Sequence, residues 1–272
     1  MQNRTTRREL NRLLLGALAG GATAFRPGPA AAHQEAAFVG ERSEERILLK
    51  SPAGSPILEY IREPAADAAA RPAVGGACYT HPVRTPAGEL VTDLAPKDHP
   101  HHRGIFFAWV EVAGEERGDW WGWGARAPKE DRIILNREAR VTDEDRDHVA
   151  VRAINSWRAG EETVLNERVS IQARLAPGCH VLDYEYKFSV PTMLDVAIAP
   201  NPFGGFCCRL RSGGRLTVSG PDGRVDRPDA VFDRPDTNWP AARWYDFSYQ
   251  PTAGRGWGVA VLDHPLNPPT TW

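Results

Sequence analysis

The chain has 272 residues, with 33 basic against 35 acidic side chains, a formal net charge of −2 and 42% hydrophobic residues. That balance argues against nucleic acid or an anionic membrane as partner, since both select a concentrated basic surface. The basic residues are almost all arginine, with lysine only at Lys50, Lys97, Lys129 and Lys187, and acids are interspersed among them. The bias reads as overall composition, not as a functional arginine surface.

The first element is an export signal over residues 1–32. Arg7-Arg8 precedes an apolar run from Leu13 to Ala24, and Ala30-Ala31-Ala32 supplies small residues for cleavage. Paired arginines ahead of a mildly apolar, Gly- and Ala-rich stretch point to the twin-arginine route, and hence to a periplasmic or extracellular protein. The run is too short to span a bilayer, and nothing after it approaches the ~18 apolar residues a spanning helix needs.

Residues 33–272 read as one domain of short strands. Strands are predicted over residues 46–50 and 57–62, then an Ala-rich stretch at 65–70 forming a helical turn or a loop, then strands at 105–112, 132–138 and 149–157. The clearest signal is a hairpin. Val169, Ile171, Ala173 and Leu175 alternate with Arg168, Ser170, Gln172 and Arg174. Pro177-Gly178 then turns the chain, and Leu182, Tyr184, Tyr186 and Phe188 alternate with Asp183, Glu185, Lys187 and Ser189. A period of two on both sides of a turn is a half-buried antiparallel pair. Strands at 215–219 and 258–262 follow. The 25 glycines and 23 prolines fall mostly between these runs, and no segment after the signal carries a 3.6-residue apolar period. The expected class is all-β, an antiparallel β-sandwich or a larger two-sheet supersandwich.

The densest set of reactive side chains is Lys97-Asp98-His99-Pro100-His101-His102-Arg103-Gly104, ahead of the strand at 105–112; it holds three of the 8 histidines. In an extended segment His99 and His101 would share one face and His102 the other. Two imidazoles on one face suit a divalent metal ion or proton transfer, although no third ligand is evident in the sequence. Arg103 would grip a carboxylate or a sugar oxygen, Asp98 would join the catalytic set, and Gly104 would allow a close approach to the backbone. His81-Pro82 and Asp263-His264-Pro265 are further His-Pro steps at strand ends. They either line the same rim or simply end their strands. In Asp119-Trp120-Trp121-Gly122-Trp123, Trp120 and Trp121 are either core or a stacking platform for sugar rings, with Asp119 as a hydrogen-bond partner. Asn201-Pro202-Phe203-Gly204-Gly205 reads as a turn. Glu167 reads as a solvated strand residue ahead of a carboxylate acid or base. Cys78, Cys179, Cys207 and Cys208 show no CxxC spacing, so a zinc knuckle is not expected; adjacent Cys207 and Cys208 would point to opposite faces of a strand.

Taken together, Tyr79-Thr80-His81-Pro82, Thr85-Pro86-Ala87-Gly88, Asp98-His99-Pro100-His101-His102-Arg103-Gly104 and Asp263-His264-Pro265 with Asn267-Pro268 resemble the PmoA-like family of bacterial exported proteins, over about residues 45–272. The Asp-His-Pro-His-His-Arg-Gly string is the most specific part. The resemblance implies carbohydrate chemistry by association with sugar-oxidising and sugar-processing proteins. A methane monooxygenase subunit is excluded, because that protein spans the membrane several times and this chain has no spanning segment after its signal. Similar proteins continue past the position of Trp272, so a closing C-terminal strand is expected to be missing.

The sequence therefore leads to an exported enzyme, a hydrolase, lyase or epimerase, acting on a sugar or oxidised-sugar glycoside. His99, His101, His102, Arg103 and Asp98 would be catalytic. Trp120, Trp121, Asp119, His81 and His264 would bind a small-molecule or oligosaccharide ligand, and His99 with His101 would hold a divalent metal. The rivals are a non-catalytic carbohydrate-binding protein and an assembly partner of exported enzymes.

Overall fold

The computed structural model describes residues 36–63, 78–97, 99–110, 112–113, 118–121, 132–191, 195–198, 204–225 and 242–267. The chain divides into Met1–Glu35 and a compact unit, Ala36–Trp272, which holds every described residue. The expected export signal and the Ala-rich stretch at 65–70 lie outside the described residues.

The protein is all-β. Its strands are β1 (Val39–Arg42), β2 (Arg46–Lys50), β3 (Pro56–Ile61), β4 (Tyr79–Val83), β5 (Ile105–Trp109), β6 (Val112–Ala113), β7 (Arg132–Thr142), β8 (His148–Ala159), β9 (Glu162–Ala176), β10 (Cys179–Ser189), β11 (Ala197–Ile198), β12 (Gly204–Cys208), β13 (Arg215–Gly220), β14 (Gly223–Val225), β15 (Trp244–Gln250) and β16 (Trp257–Leu262). They form a six-stranded sheet in the order β1-β2-β3-β4-β5-β12, a four-stranded sheet β10-β9-β8-β7, a second four-stranded sheet β14-β13-β15-β16, and the short pair β11-β6. Among the described residues no helix is long and apolar enough to cross a membrane.

The strands predicted from the sequence recur, most of them longer. The hairpin around Pro177-Gly178 is β9–β10, paired from Cys179↔Ala176 to Ser189↔Asn166. Gly178 takes a φ of +79°, open to glycine without strain. Along β9 the inward positions Leu165, Glu167, Val169, Ile171 and Ala173 are buried, whereas Leu175, next to the turn, is exposed. Strands β1 and β15 were not anticipated, and β4 and β12 only as a strand ending near His81-Pro82 and one carrying Cys207 and Cys208. In β15, Tyr245, Phe247 and Tyr249 recur at every second position, a strand signal that was available. In β12 the opening Gly204 and Gly205 read as a turn, yet both pair with β5, at Trp109 and Ala108.

The six-stranded sheet packs on the first four-stranded sheet. Ile47, Leu49, Ile57 and Tyr60 from one side and Val149, Val151, Trp157 and Ile171 from the other are fully buried in a shared core. Polar groups are embedded in that core. Glu167 on β9 is 2% exposed. Its Oε1 accepts from Asn155 Nδ2 at 2.7 Å and its Oε2 from Trp157 Nε1 at 2.9 Å. Tyr60, across from β3, donates its hydroxyl to Asn155 Oδ1 at 3.2 Å, which also accepts from Asn136 Nδ2 at 2.9 Å. The reading of Glu167 as solvated is thus corrected. The same alternation that turns Val169 and Ile171 inward turns Glu167 inward.

Burial raises the Glu167 carboxyl to about 7, opposed by the Asn155 and Trp157 hydrogen bonds and by the charge of Arg103. A carboxyl raised in the folded state holds its proton there after the unfolded chain has lost it, so stability falls as pH rises from the ordinary carboxylate range to about 7. A displacement from 4.5 to about 7 corresponds to roughly 3 kcal/mol. Urea denaturation from pH 4.5 to 8 is expected to show this loss in the wild type and a flatter profile in Glu167→Gln. Parallel profiles would mean that Glu167 titrates as an ordinary carboxylate.

Candidate functional site

The histidine segment is a turn and not an extended strand. Pro96 C=O accepts from His99 N–H at 2.9 Å, and His99 C=O accepts from His102 N–H at 3.0 Å. Ala95 N–H closes the loop on His102 C=O at 2.8 Å, and Leu94 pairs with Arg103. Pro100 lacks an N–H to satisfy and suits the turn's interior. The expected split, with His99 and His101 on one face and His102 on the other, is therefore corrected. All three imidazoles gather together, with ring centroids 5.8 Å apart for His99–His101, 4.8 Å for His99–His102 and 4.5 Å for His101–His102.

Gly104 anchors this turn. Its φ is +57°, and a Cβ there would lie 2.3 Å from the Thr80 carbonyl oxygen and 2.8 Å from His81 Cβ. The close approach anticipated from the sequence occurs, but it is made by strand β4 of the same chain. Gly104 N–H donates to Asp93 C=O at 2.8 Å, and its own carbonyl accepts from Arg209 N–H at 2.8 Å. The end of β12 is thereby tied to the turn.

His81 comes next to Gly104 by this packing. With Pro82 it lies inside β4, not at a strand end, and Pro82 falls where the β3–β4 register shifts, a position that tolerates a missing N–H. His81 Nδ1 sits 2.9 Å from Thr92 Oγ1, which accepts from Val83 N–H at 3.0 Å. Burial lowers the His81 pKa, with Asp93 opposing and Arg84 adding to the shift. His264 is not brought to the turn. It follows β16, and its Nδ1 accepts from Leu266 N–H at 3.2 Å, while Asn267 Nδ2 donates to Asp263 Oδ1 at 2.6 Å. That is a self-contained exposed turn. Asp98 and Trp123 lie outside the described residues.

The two tryptophans divide. Trp120 is 2% exposed; its Nε1 donates to Arg158 C=O at 3.2 Å, and its ring lies 6.0 Å from Trp157. It belongs to the core, which corrects its assignment as a ring platform. Trp121, also in the core at 7% exposure, meets the histidines, stacked on His102 at 5.8 Å and 19° and edge-on to His101 at 5.9 Å. Asp119, also buried, accepts Trp121 N–H at 2.6 Å and shapes its own loop.

Electrostatics single out His101. Burial is the first cause lowering its pKa to about 4, followed by the nearby charges of His99, Arg103 and Arg209. The ring is neutral at physiological pH and a weaker base than an ordinary imidazole. Arg103 is 6% exposed, lies 4.9 Å over the Phe106 ring and donates to Trp120 C=O at 3.4 Å. Arg209 was not anticipated, because its neighbourhood to His101 arises only from the pairing of β12 with β5. Cys207 and Cys208 pair with Phe106 and Ile105; both are free thiols raised to about 12 by burial, and neither is a nucleophile at neutral pH.

The metal expectation concerns His99 and His101, and Asp98 beside them lies outside the described residues. Among the described residues no group of three or more His, Cys, Asp or Glu side chains is arranged to hold a metal ion. The His99 and His101 rings lie with centroids 5.8 Å apart.

A family model described as "Family of unknown function (DUF6807)" matches residues 51–272, and the chain belongs to that family. No curated protein and no solved structure matches the chain.

Replacing Gly104 by alanine combines a disfavoured φ with a backbone clash that no side chain can relieve. The variant is expected to lose about 2 kcal/mol or more of stability in chemical denaturation. A loss within 0.5 kcal/mol, on the order of an ordinary surface substitution, would show that this contact does not set the turn's position. Trp120→Ala should cost about 3–5 kcal/mol, as a core truncation does, in the same measurement.

Proposed function

We propose that this chain is an exported, carbohydrate-active enzyme working on a sugar or oxidised-sugar glycoside at the histidine turn. The observation that carries the reading is the gathering of His99, His101 and His102 in one turn, with the His101 ring kept neutral beside two guanidinium groups. A neutral imidazole can take a proton from a hydroxyl or from a carbon next to a carbonyl. Arg103 and Arg209 are suited to stabilise the negative charge that such a removal creates. His99 and His102, both half-buried, would pass the proton between His101 and solvent. Trp121 is buried at 7% exposure and backs His102, whose half-buried ring is the aromatic surface left for a sugar. The resemblance to PmoA-like exported proteins supports the carbohydrate class and the export route. No step is assigned to a metal ion.

A non-catalytic carbohydrate-binding protein is the second reading. It draws on the half-buried ring faces of Tyr184 and Tyr186, against which Phe206 packs at 5.5 and 6.3 Å. Phe206 itself is 41% exposed. These rings would bind a sugar without the histidines.

The test is turnover of a panel of neutral, keto and acidic glycosides by wild type and His101→Ala. A loss of about 100-fold or more in kcat/KM, in the range that removal of an acid/base group produces, is expected with the thermal midpoint little changed. Since His101 stays unprotonated down to about pH 4, its base form should sustain kcat/KM through pH 5 before activity falls at lower pH. Full turnover by His101→Ala would remove this role, and binding that survives the substitution with no turnover in either protein would favour the second reading.

A further inference from the structure

Arg103 presents a problem that the fold leaves unsolved. Its guanidinium is buried, yet it makes no ion pair among the described residues. Its contacts are the single long hydrogen bond to Trp120 C=O at 3.4 Å and the face of Phe106. Its Nε is enclosed without a hydrogen-bond partner. Two acids, Asp119 and Glu167, act on its charge without forming an ion pair with it. Asp119 accepts the Trp121 N–H, and both oxygens of Glu167 are engaged by Asn155 and Trp157. Buried charges are ordinarily paired, and a guanidinium with most of its donors unused is an incomplete arrangement.

We propose that the missing partner is the carboxylate of an acidic sugar, which Arg103 receives in its forked guanidinium with Arg209 adding a second positive charge. The proposal rests on the reading of the histidine turn as the site and names its substrate class. A planar carboxylate matches the two parallel N–H donors of an arginine. The half-buried His102 offers a ring face for the sugar. Arg209 and His102 are half-buried, while Arg103 is buried.

The experiment is calorimetric titration of the whole protein with sodium glucuronate, galacturonate and gluconate, each beside its neutral counterpart glucose, galactose or glucitol, and with inorganic phosphate. At least one sugar acid is expected to bind ~10-fold or more tightly than its neutral counterpart and than phosphate. Arg103→Lys, which keeps the charge and loses the fork, should weaken that binding about tenfold. Arg209→Gln should also weaken it, and it carries the test if Arg103→Lys fails to fold by circular dichroism. Equal binding of acid and neutral sugars would overturn the carboxylate and leave the carbohydrate reading intact. Phosphate binding as tightly as the sugar acids would overturn the sugar part. Sugar-acid binding unchanged in the folded variants would place it elsewhere and overturn the site. No binding by any sugar or acid would overturn this proposal together with the carbohydrate reading.

Discussion

The backbone of Gly104 lies so close to strand β4 that no side chain fits between them, and the geometry of the histidine turn follows from that contact. Gly104 hydrogen-bonds back to Asp93 and forward to Arg209, so one residue joins β4, the Asp93 stretch and the end of β12. Arg103, immediately before it, is carried to the margin of the core. His101, two residues further back, is held beside Arg103 and Arg209. A loop free to drift would carry the His101 ring into water and away from the guanidiniums, removing the burial that lowers its pKa. The perturbed His101 is a consequence of that anchoring.

Beneath the turn the two packed sheets carry a polar set that is unusual for a sandwich core. Glu167, Asn155, Trp157 and Tyr60 satisfy one another between the sheets. Desolvation and hydrogen bonding act in opposite directions on the Glu167 carboxyl, and desolvation prevails. Arg103 contributes the opposite charge from the direction of the turn. The molecule thus holds a buried acid and a buried base that influence each other without forming an ion pair among the described residues. Arg103 remains the less satisfied of the two, which ties the chemistry of the turn to the electrostatics of the core.

Each corrected assignment has a physical reason. Three imidazoles in a run were read with the period of a strand, but successive hydrogen bonds from His99 to Pro96 and from His102 to His99 make the run a turn, and turns do not alternate faces. Trp120 stands in a string of tryptophans that looks like an exposed platform. Its indole instead finds the Arg158 carbonyl inside the protein, and a buried indole N–H with a partner is stable there. His264 shares the Asp-His-Pro pattern of the main segment, yet its ring accepts a hydrogen bond from its own turn, so the pattern served local geometry.

By itself the sequence determined the all-β class, the β9–β10 hairpin and the segment in which reactive side chains concentrate. Those features depend on alternation, on turn residues and on local density, all of which are local. Even the inward direction of Glu167 was available from the parity of Val169 and Ile171. The tertiary structure alone decided which groups meet. Arg209 and His81 join the turn because β12 and β4 flank β5 in the six-stranded sheet, while His264 stays with another sheet. Strand order is set by pairing between residues far apart in the chain, and no local pattern encodes it.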